Sequence, residues 1–243
     1  MKTFQFLILL LLAPILPSFA LAQTNVGGTY FSNQHWQAAG SPYTVTSDFQ
    51  MAPGFTLTID SSVQVNFSGN AEILLKGGIQ ALGTAAHPIV FNGAGAKNIL
   101  HFMDADLSYS HLTFCEMNGG GTNTILMDGS CSDIGTIENC VVTNGKIFQN
   151  RATGGRINFV DSELNDVLIE SQVDANSSGY LGFESCLAFG SRFKGIPQSG
   201  VIPMVILSSN LSDCHFETAG YTSGCAGFTL QADTILDSYF HSS

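Results

Sequence analysis

One four-residue phrase recurs six times in the second half of this 243-residue chain, and it narrows the fold more than any other feature. It reads polar, then Ser or Cys, then any residue, then a large apolar one. The copies are Tyr109-Ser110-His111-Leu112, Asn139-Cys140-Val141-Val142, Asp161-Ser162-Glu163-Leu164, Glu184-Ser185-Cys186-Leu187, Asp213-Cys214-His215-Phe216 and Asp237-Ser238-Tyr239-Phe240. Their apolar positions lie 30, 22, 23, 29 and 24 residues apart. This spacing suits a solenoid in which each repeat is one winding with loops of variable length. A winding of about 22–24 residues holds three short strands and three turns, each strand pairing with its equivalent one winding away at about 4.8 Å. Side chains alternate, so the Ser/Cys position and the apolar position two residues later share the inward face. Leu112, Val142, Leu164, Leu187, Phe216 and Phe240 are therefore expected to stack as one column, each contributing about 1.5–3 kcal/mol on burial.

The first half points the same way. Alternation of apolar and polar residues is clear in Thr56-Leu57-Thr58-Ile59 and Val63-Gln64-Val65-Asn66-Phe67, and continues through Ile73-Leu74-Leu75, Ile79-Gln80-Ala81 and Ile89-Val90-Phe91. No segment carries a helical period, and the connections are too short for crossover helices. With 44% hydrophobic residues, 11% charged and 26 glycines, the composition fits a continuous dry core joined by tight turns. The expected fold is all-β, a right-handed parallel β-helix of about nine coils over residues 43–243. Residues 23–42, with the single Trp36, are expected to fold over the first coil as an N-terminal cap. The chain stops just after Phe240 with no evident C-terminal cap, which predicts a longer parent protein or self-association through the C-terminal coil.

Export is expected from the first 22 residues. Lys2 precedes an apolar run from Phe6 to Ile15, and Ala20-Leu21-Ala22 has the small-x-small form of a cleavage site, placing the mature start at Gln23. The run is too short to span a bilayer, so no membrane insertion is expected after its removal. Removal takes away Lys2 and no acid, leaving 7 basic against 19 acidic side chains, a formal charge of −12. Such a surface repels nucleic acid and anionic membrane and leaves polysaccharide, cell-surface glycan, cations or basic proteins as partners. The location that follows is secreted or cell surface. Export would permit disulfides among Cys115, Cys131, Cys140, Cys186, Cys214 and Cys225, but two of these fall in the inward Ser/Cys column, so the pairing stays open.

The stretch Ser41-Pro42-Tyr43-Thr44-Val45, then Ala52-Pro53-Gly54-Phe55-Thr56-Leu57-Thr58-Ile59, then Gly77-Gly78-Ile79-Gln80-Ala81-Leu82-Gly83-Thr84 with Pro88-Ile89-Val90-Phe91, resembles the opening coils of secreted bacterial β-helix proteins of the pectate-lyase-like superfamily. The later phrases are similar to the degenerate repeats of that group. The resemblance implies architecture and little chemistry, since the superfamily includes lyases, hydrolases, adhesins and structural surface proteins.

If the second and fourth phrase positions point inward, the first and third point outward. This places Asp161, Glu163, Glu184, Asp213, His215 and Asp237 on one acidic, histidine-bearing face, where stacked carboxylates would repel unless screened or bridged by a hard cation such as Ca²⁺. An ordinary solvated stripe accounts for the same residues. A lyase or hydrolase would need Arg or Lys beside acidic residues. Arg151, Arg156, Arg192 and Lys194 lie near predicted turns, yet no Asn-Thr-Asp, Asp-Asp, Gly-His-Gly or Arg-Ile-Lys series occurs, and no Gly-x-Ser-x-Gly elbow. The expected function is a non-catalytic surface, adhesive or glycan-contacting module, with a polysaccharide lyase or glycoside hydrolase as the alternative.

Overall fold

The computed structural model describes residues 23–150, 154–172, 179–196, 204–218, 228–231 and 234–242. The expected signal peptide lies outside the described residues. Every strand pair between windings is parallel, and the strands form an 18-stranded and a 9-stranded sheet. The larger sheet is two ladders joined at a corner, so each winding contributes one strand to each of three ladders. Glu163–Asn165, Leu168–Gln172 and Leu181–Glu184 are one such set. The chain is thus an all-β parallel solenoid, and among the described residues nine strands in the third ladder give eight steps from first to last, about eight turns and close to the number expected.

Residues 24–36, expected as a cap, are continuous with the solenoid as its first winding. Thr24–Tyr30 pairs with Tyr43–Met51 and Gln34–Trp36 with Thr56–Asp60, both in parallel. Trp36 stacks on Tyr43 with ring centres 4.9 Å apart and meets Phe49 edge-on, so aromatic side chains fill the interior at this end.

The interior is a set of columns rather than one. In the first ladder Phe91, Met117, Val142, Leu164, Ala188 and Leu211 lie in register. In the second, Leu100, Ile125, Ile147, Ile169, Phe193 and Phe216 do so. Sizes compensate across the core: where the first ladder narrows to Ala188, the second supplies Phe193, which meets Phe183 of the third edge-on at 5.7 Å. Close packing of this kind is what keeps a thin interior dry.

The six apolar phrase positions therefore do not form a single stack. Leu112 belongs to the third ladder, Val142 and Leu164 to the first, Phe216 and Phe240 to the second. Leu187 points outward and is 48% exposed; Ala188 takes the inward place beside Leu164. The physical reason is that each winding carries the same turn chemistry twice. At the corner into the first ladder, Asn139, Asp161, Ser185 and Ser208 adopt φ near +50°, and each is followed by an inward Ser or Cys. At the corner into the second ladder, Asp166, Gly190, Asp213 and Asp237 adopt the same conformation, followed by Val167 at the first and by Ser or Cys at the other three. Asn, Asp, Ser and Gly recur there because short polar side chains or none tolerate the left-handed conformation.

The small inward residue after each corner joins windings directly. Ser162 Oγ accepts the Cys140 N–H at 3.1 Å, Ser209 Oγ that of Cys186 at 3.1 Å, and Ser238 Oγ that of Cys214 at 3.0 Å. Cys115, Cys131, Cys140, Cys186 and Cys214 are buried free thiols, while Cys225 lies outside the described residues. Burial pushes the Cys131 and Cys186 thiols up to about 11, which makes them inert packing groups.

Candidate functional site

The six residues expected on one outward face fall in separate places. Asp161, Asp213 and Asp237 occupy positive-φ corners, Asp161 entering the first ladder and the other two entering the second. Glu163 lies on the first ladder beside Val141 and Leu187, and Glu184 ends a third-ladder strand beside Val160 and Leu207. His215 lies on the second ladder between Arg192 and Tyr239. Asp213, His215 and Asp237 share the second ladder and the corner that enters it; the other three do not. Among the described residues no group of three or more His, Cys, Asp and Glu side chains could hold a metal ion.

Charges do converge on the outward side of the second ladder. Lys146 Nζ lies 2.9 Å and Lys194 Nζ 3.6 Å from opposite oxygens of Glu170, and Arg192 pairs with Glu217. Glu170, Lys194 and Glu217 are register neighbours, one per winding, so the two carboxylates stand two windings apart, about 9–10 Å. The Arg192 guanidinium holds the Glu217 carboxyl below its ordinary range. His215 stacks on Tyr239 at 4.0 Å, and burial together with the Arg192 charge lowers its pKa.

Farther toward the N-terminus the same ladder holds a buried cluster. Between Ala71 and Ile73 the strand has one residue, Glu72, while its partner has three, Lys97, Asn98 and Ile99. This bulge wraps around Glu72, which is 3% exposed although it faces away from the core column. Lys97 at 3.1 Å, Asn98, and His101 Nδ1 at 3.2 Å all contact its carboxylate, and His101 Nε2 reaches Asp128 at 3.1 Å. Burial opposes charge on Glu72, but its three partners outweigh it and bring the pKa down to about 2. Burial also opposes charge on His101, yet the bonds to Glu72 and Asp128 raise its pKa. With acceptors at both ring nitrogens, the imidazole is held as a cation. At 4% exposure His101 is closed to a polymer, so the cluster is a clamp across three windings.

The first ladder presents a different outward face. Asn66, Asn92, Asn118, Thr143 and Asn165 form one register column. Asn92 Nδ2 donates to Asn66 Oδ1 at 2.8 Å and Thr143 Oγ1 to Asn118 Oδ1 at 3.2 Å. The column runs into Phe189, 54% exposed, which with Leu187, Leu236, Asn210 and Ser212 lines a shallow groove of about 470 Å³.

Sequence reasoning missed both the clamp and the amide row. Asn66, Asn92 and Asn118 stand 26 residues apart, a signal that was present but lay outside the recurring phrase. No protein-family model matches the chain, and neither a curated protein nor a solved structure shows a significant likeness to it. The class that the fold defines is the parallel β-solenoid.

Proposed function

We propose that the chain is an exported, non-catalytic β-solenoid of the pectate-lyase-like kind that contacts neutral glycans at a cell surface through the outward face of its first ladder. The observation that carries this is the amide and hydroxyl row from Asn66 to Asn165 leading to the Phe189 groove. An extended glycan offers hydroxyls at regular intervals and weakly apolar ring faces. A row of amides about 4.8 Å apart supplies donors and acceptors winding after winding, and an exposed aromatic ring beside aliphatic side chains supplies a stacking platform. The acidic charge of the chain favours neutral over anionic polymers. The test is co-sedimentation of residues 23–243 with insoluble cellulose, chitin and mannan. At least one polymer should retain the protein, and Phe189→Ala should weaken retention tenfold or more. Failure to sediment with any neutral polymer overturns the proposal.

One observation favours a second reading, a lyase or hydrolase working along the second ladder: Arg192 and Lys194 stand beside Glu217 and Glu170. Against hydrolysis, a general acid needs a raised pKa, and Glu217 is lowered. Turnover of polygalacturonate or alginate, followed by absorbance of the unsaturated product and abolished by Arg192→Ala, would replace the first reading with this one.

A further inference from the structure

We propose that the corner between the second and third ladders holds a discrete site for a single neutral pyranose, separate from the first-ladder face. Seven successive register steps along the third ladder measure 22, 31, 25, 22, 24, 23 and 24 residues, and the long one runs from Ala81 to Leu112. Part of the extra chain is the short turn Leu107–Tyr109, whose last residue forms one wall of a cavity at this corner. The wall is fixed at three points. Leu107 is fully buried, Asp106 Oδ1 accepts the Ser108 N–H at 3.0 Å, and the Tyr109 carbonyl accepts from Gln80 Nε2 at 2.9 Å. Tyr109 as a residue is nevertheless 59% exposed.

Beneath the wall lie Gly77 and Gly78. A Cβ at Gly77 would fall 2.0 Å from the Phe55 carbonyl oxygen, and one at Gly78 would fall 2.5 Å from Tyr109 Cβ. The missing side chains let the wall and floor meet closely around a cavity of about 340 Å³. That volume lies within the range of about 300–1,000 Å³ typical of small-ligand pockets.

The lining fits a sugar ring. Tyr109 and Phe55 offer aromatic surface for the apolar face of a pyranose. Asp104 and Asp106 each use Oδ1 within the protein, on Ser130 and Ser108, leaving Oδ2 to accept from hydroxyls. Asn33 uses Oδ1 on the Thr56 N–H, leaving its amide to donate. Lys76 makes no ion pair among the described residues and stands at the same cavity. Two carboxylates against one ammonium leave the pocket net negative, which excludes a uronate or a phosphate, and the ammonium disfavours an amine.

The experiment is saturation-transfer NMR of residues 23–243 with the methyl glycosides of glucose, galactose, mannose and N-acetylglucosamine at millimolar concentration. In a Phe189→Ala background, which removes the first-ladder platform, at least one should receive saturation; Tyr109→Ala and Lys76→Ala added to it should each weaken transfer tenfold or more with unchanged circular dichroism, and His87→Ala, outside both sites, should leave it intact. No transfer to any glycoside, or transfer that survives both Tyr109→Ala and Lys76→Ala, overturns the site. Polymer co-sedimentation separates the two proposals: retained sedimentation without transfer sinks only the pocket, and transfer without sedimentation sinks only the first-ladder face.

Discussion

The outward side of the second ladder carries charge at both ends of the solenoid, and the two ends treat it differently. At Glu72, His101 and Asp128 a bulge folds the backbone around the Glu72 carboxylate, and Glu72 and His101 are buried with partners, while Asp128 closes the cluster from a part-exposed position. At Lys146, Glu170, Arg192, Lys194 and Glu217 the register is regular, and the cations stay open to water in part, with Arg192 49% exposed at its side chain, while Glu170 and Glu217 keep 13% and 14% against 5% for Glu72. Backbone irregularity, rather than the identity of the charged residues, decides which group is structural. A carboxylate that is enclosed must keep its partners, whereas one on a regular ladder exchanges them for solvent at little cost.

The largest effect expected from this contrast is on Glu72. Glu72→Gln leaves His101 and Lys97 without their shared anion and should lower stability by about 3 kcal/mol, the equivalent of moving a carboxyl from its ordinary value to about 2; urea unfolding monitored by circular dichroism measures it. Equal stability of the variant and the parent would erase the distinction between the two ends.

Next in size is the pH response of the clamp. Glu72 is depressed on folding, so its contribution is present above about pH 4.5 and is lost as pH falls toward 2. His101 is raised, so its contribution is complete below about pH 6.5 and is lost as pH climbs through the folded value. Thermal unfolding should therefore show a maximum in mildly acidic solution, and His101→Gln should flatten its alkaline side. An alkaline limb unchanged in that variant would assign it to other groups.

A smaller effect belongs to the corners. Ser191 Oγ accepts the Val167 N–H at 3.1 Å and donates to the Leu164 carbonyl at 3.0 Å, so Ser191→Ala should cost about 1 kcal/mol. Smallest of all, Arg192→Ala should change stability by no more than about 1 kcal/mol, and the difference should vanish in 1 M salt. A larger or salt-insensitive loss would mean that the exposed pairs behave like the buried clamp.

The solenoid was legible because a winding imposes a period on the sequence, and Val142, Leu164, Cys140 and Ser162 obey it. What misled was the doubling of the turn. Asp161 and Asp213 look equivalent in sequence because both precede a Ser or Cys, yet one enters the first ladder and the other the second. Assigning both to one corner drew scattered side chains onto one face, and aligning Glu184 rather than Ser185 with Asp161 slipped the frame by one residue and turned Leu187 inward. The clamp was illegible for another reason: Glu72 meets Asn98 and His101 only because a bulge displaces the register, and no period announces a bulge. The alternation of Glu170, Lys194 and Glu217 would have been readable once the windings were aligned correctly.

The repeated corners also make the length of the rod adjustable in whole units. Val141 pairs with Glu163, and Glu163 in turn pairs with Leu187. Excising residues 163–186 would bring Leu187 next to Val141 in the same ladder position, with the equivalent polar corner Asp161-Ser162 before it and the smaller Ala188 taking the inward place of Leu164 after it. The molecule would shorten by one strand spacing, about 4.8 Å, while both cut faces still match. Growth and loss by such increments need no new turn and no new core, only another copy of what each winding already contains.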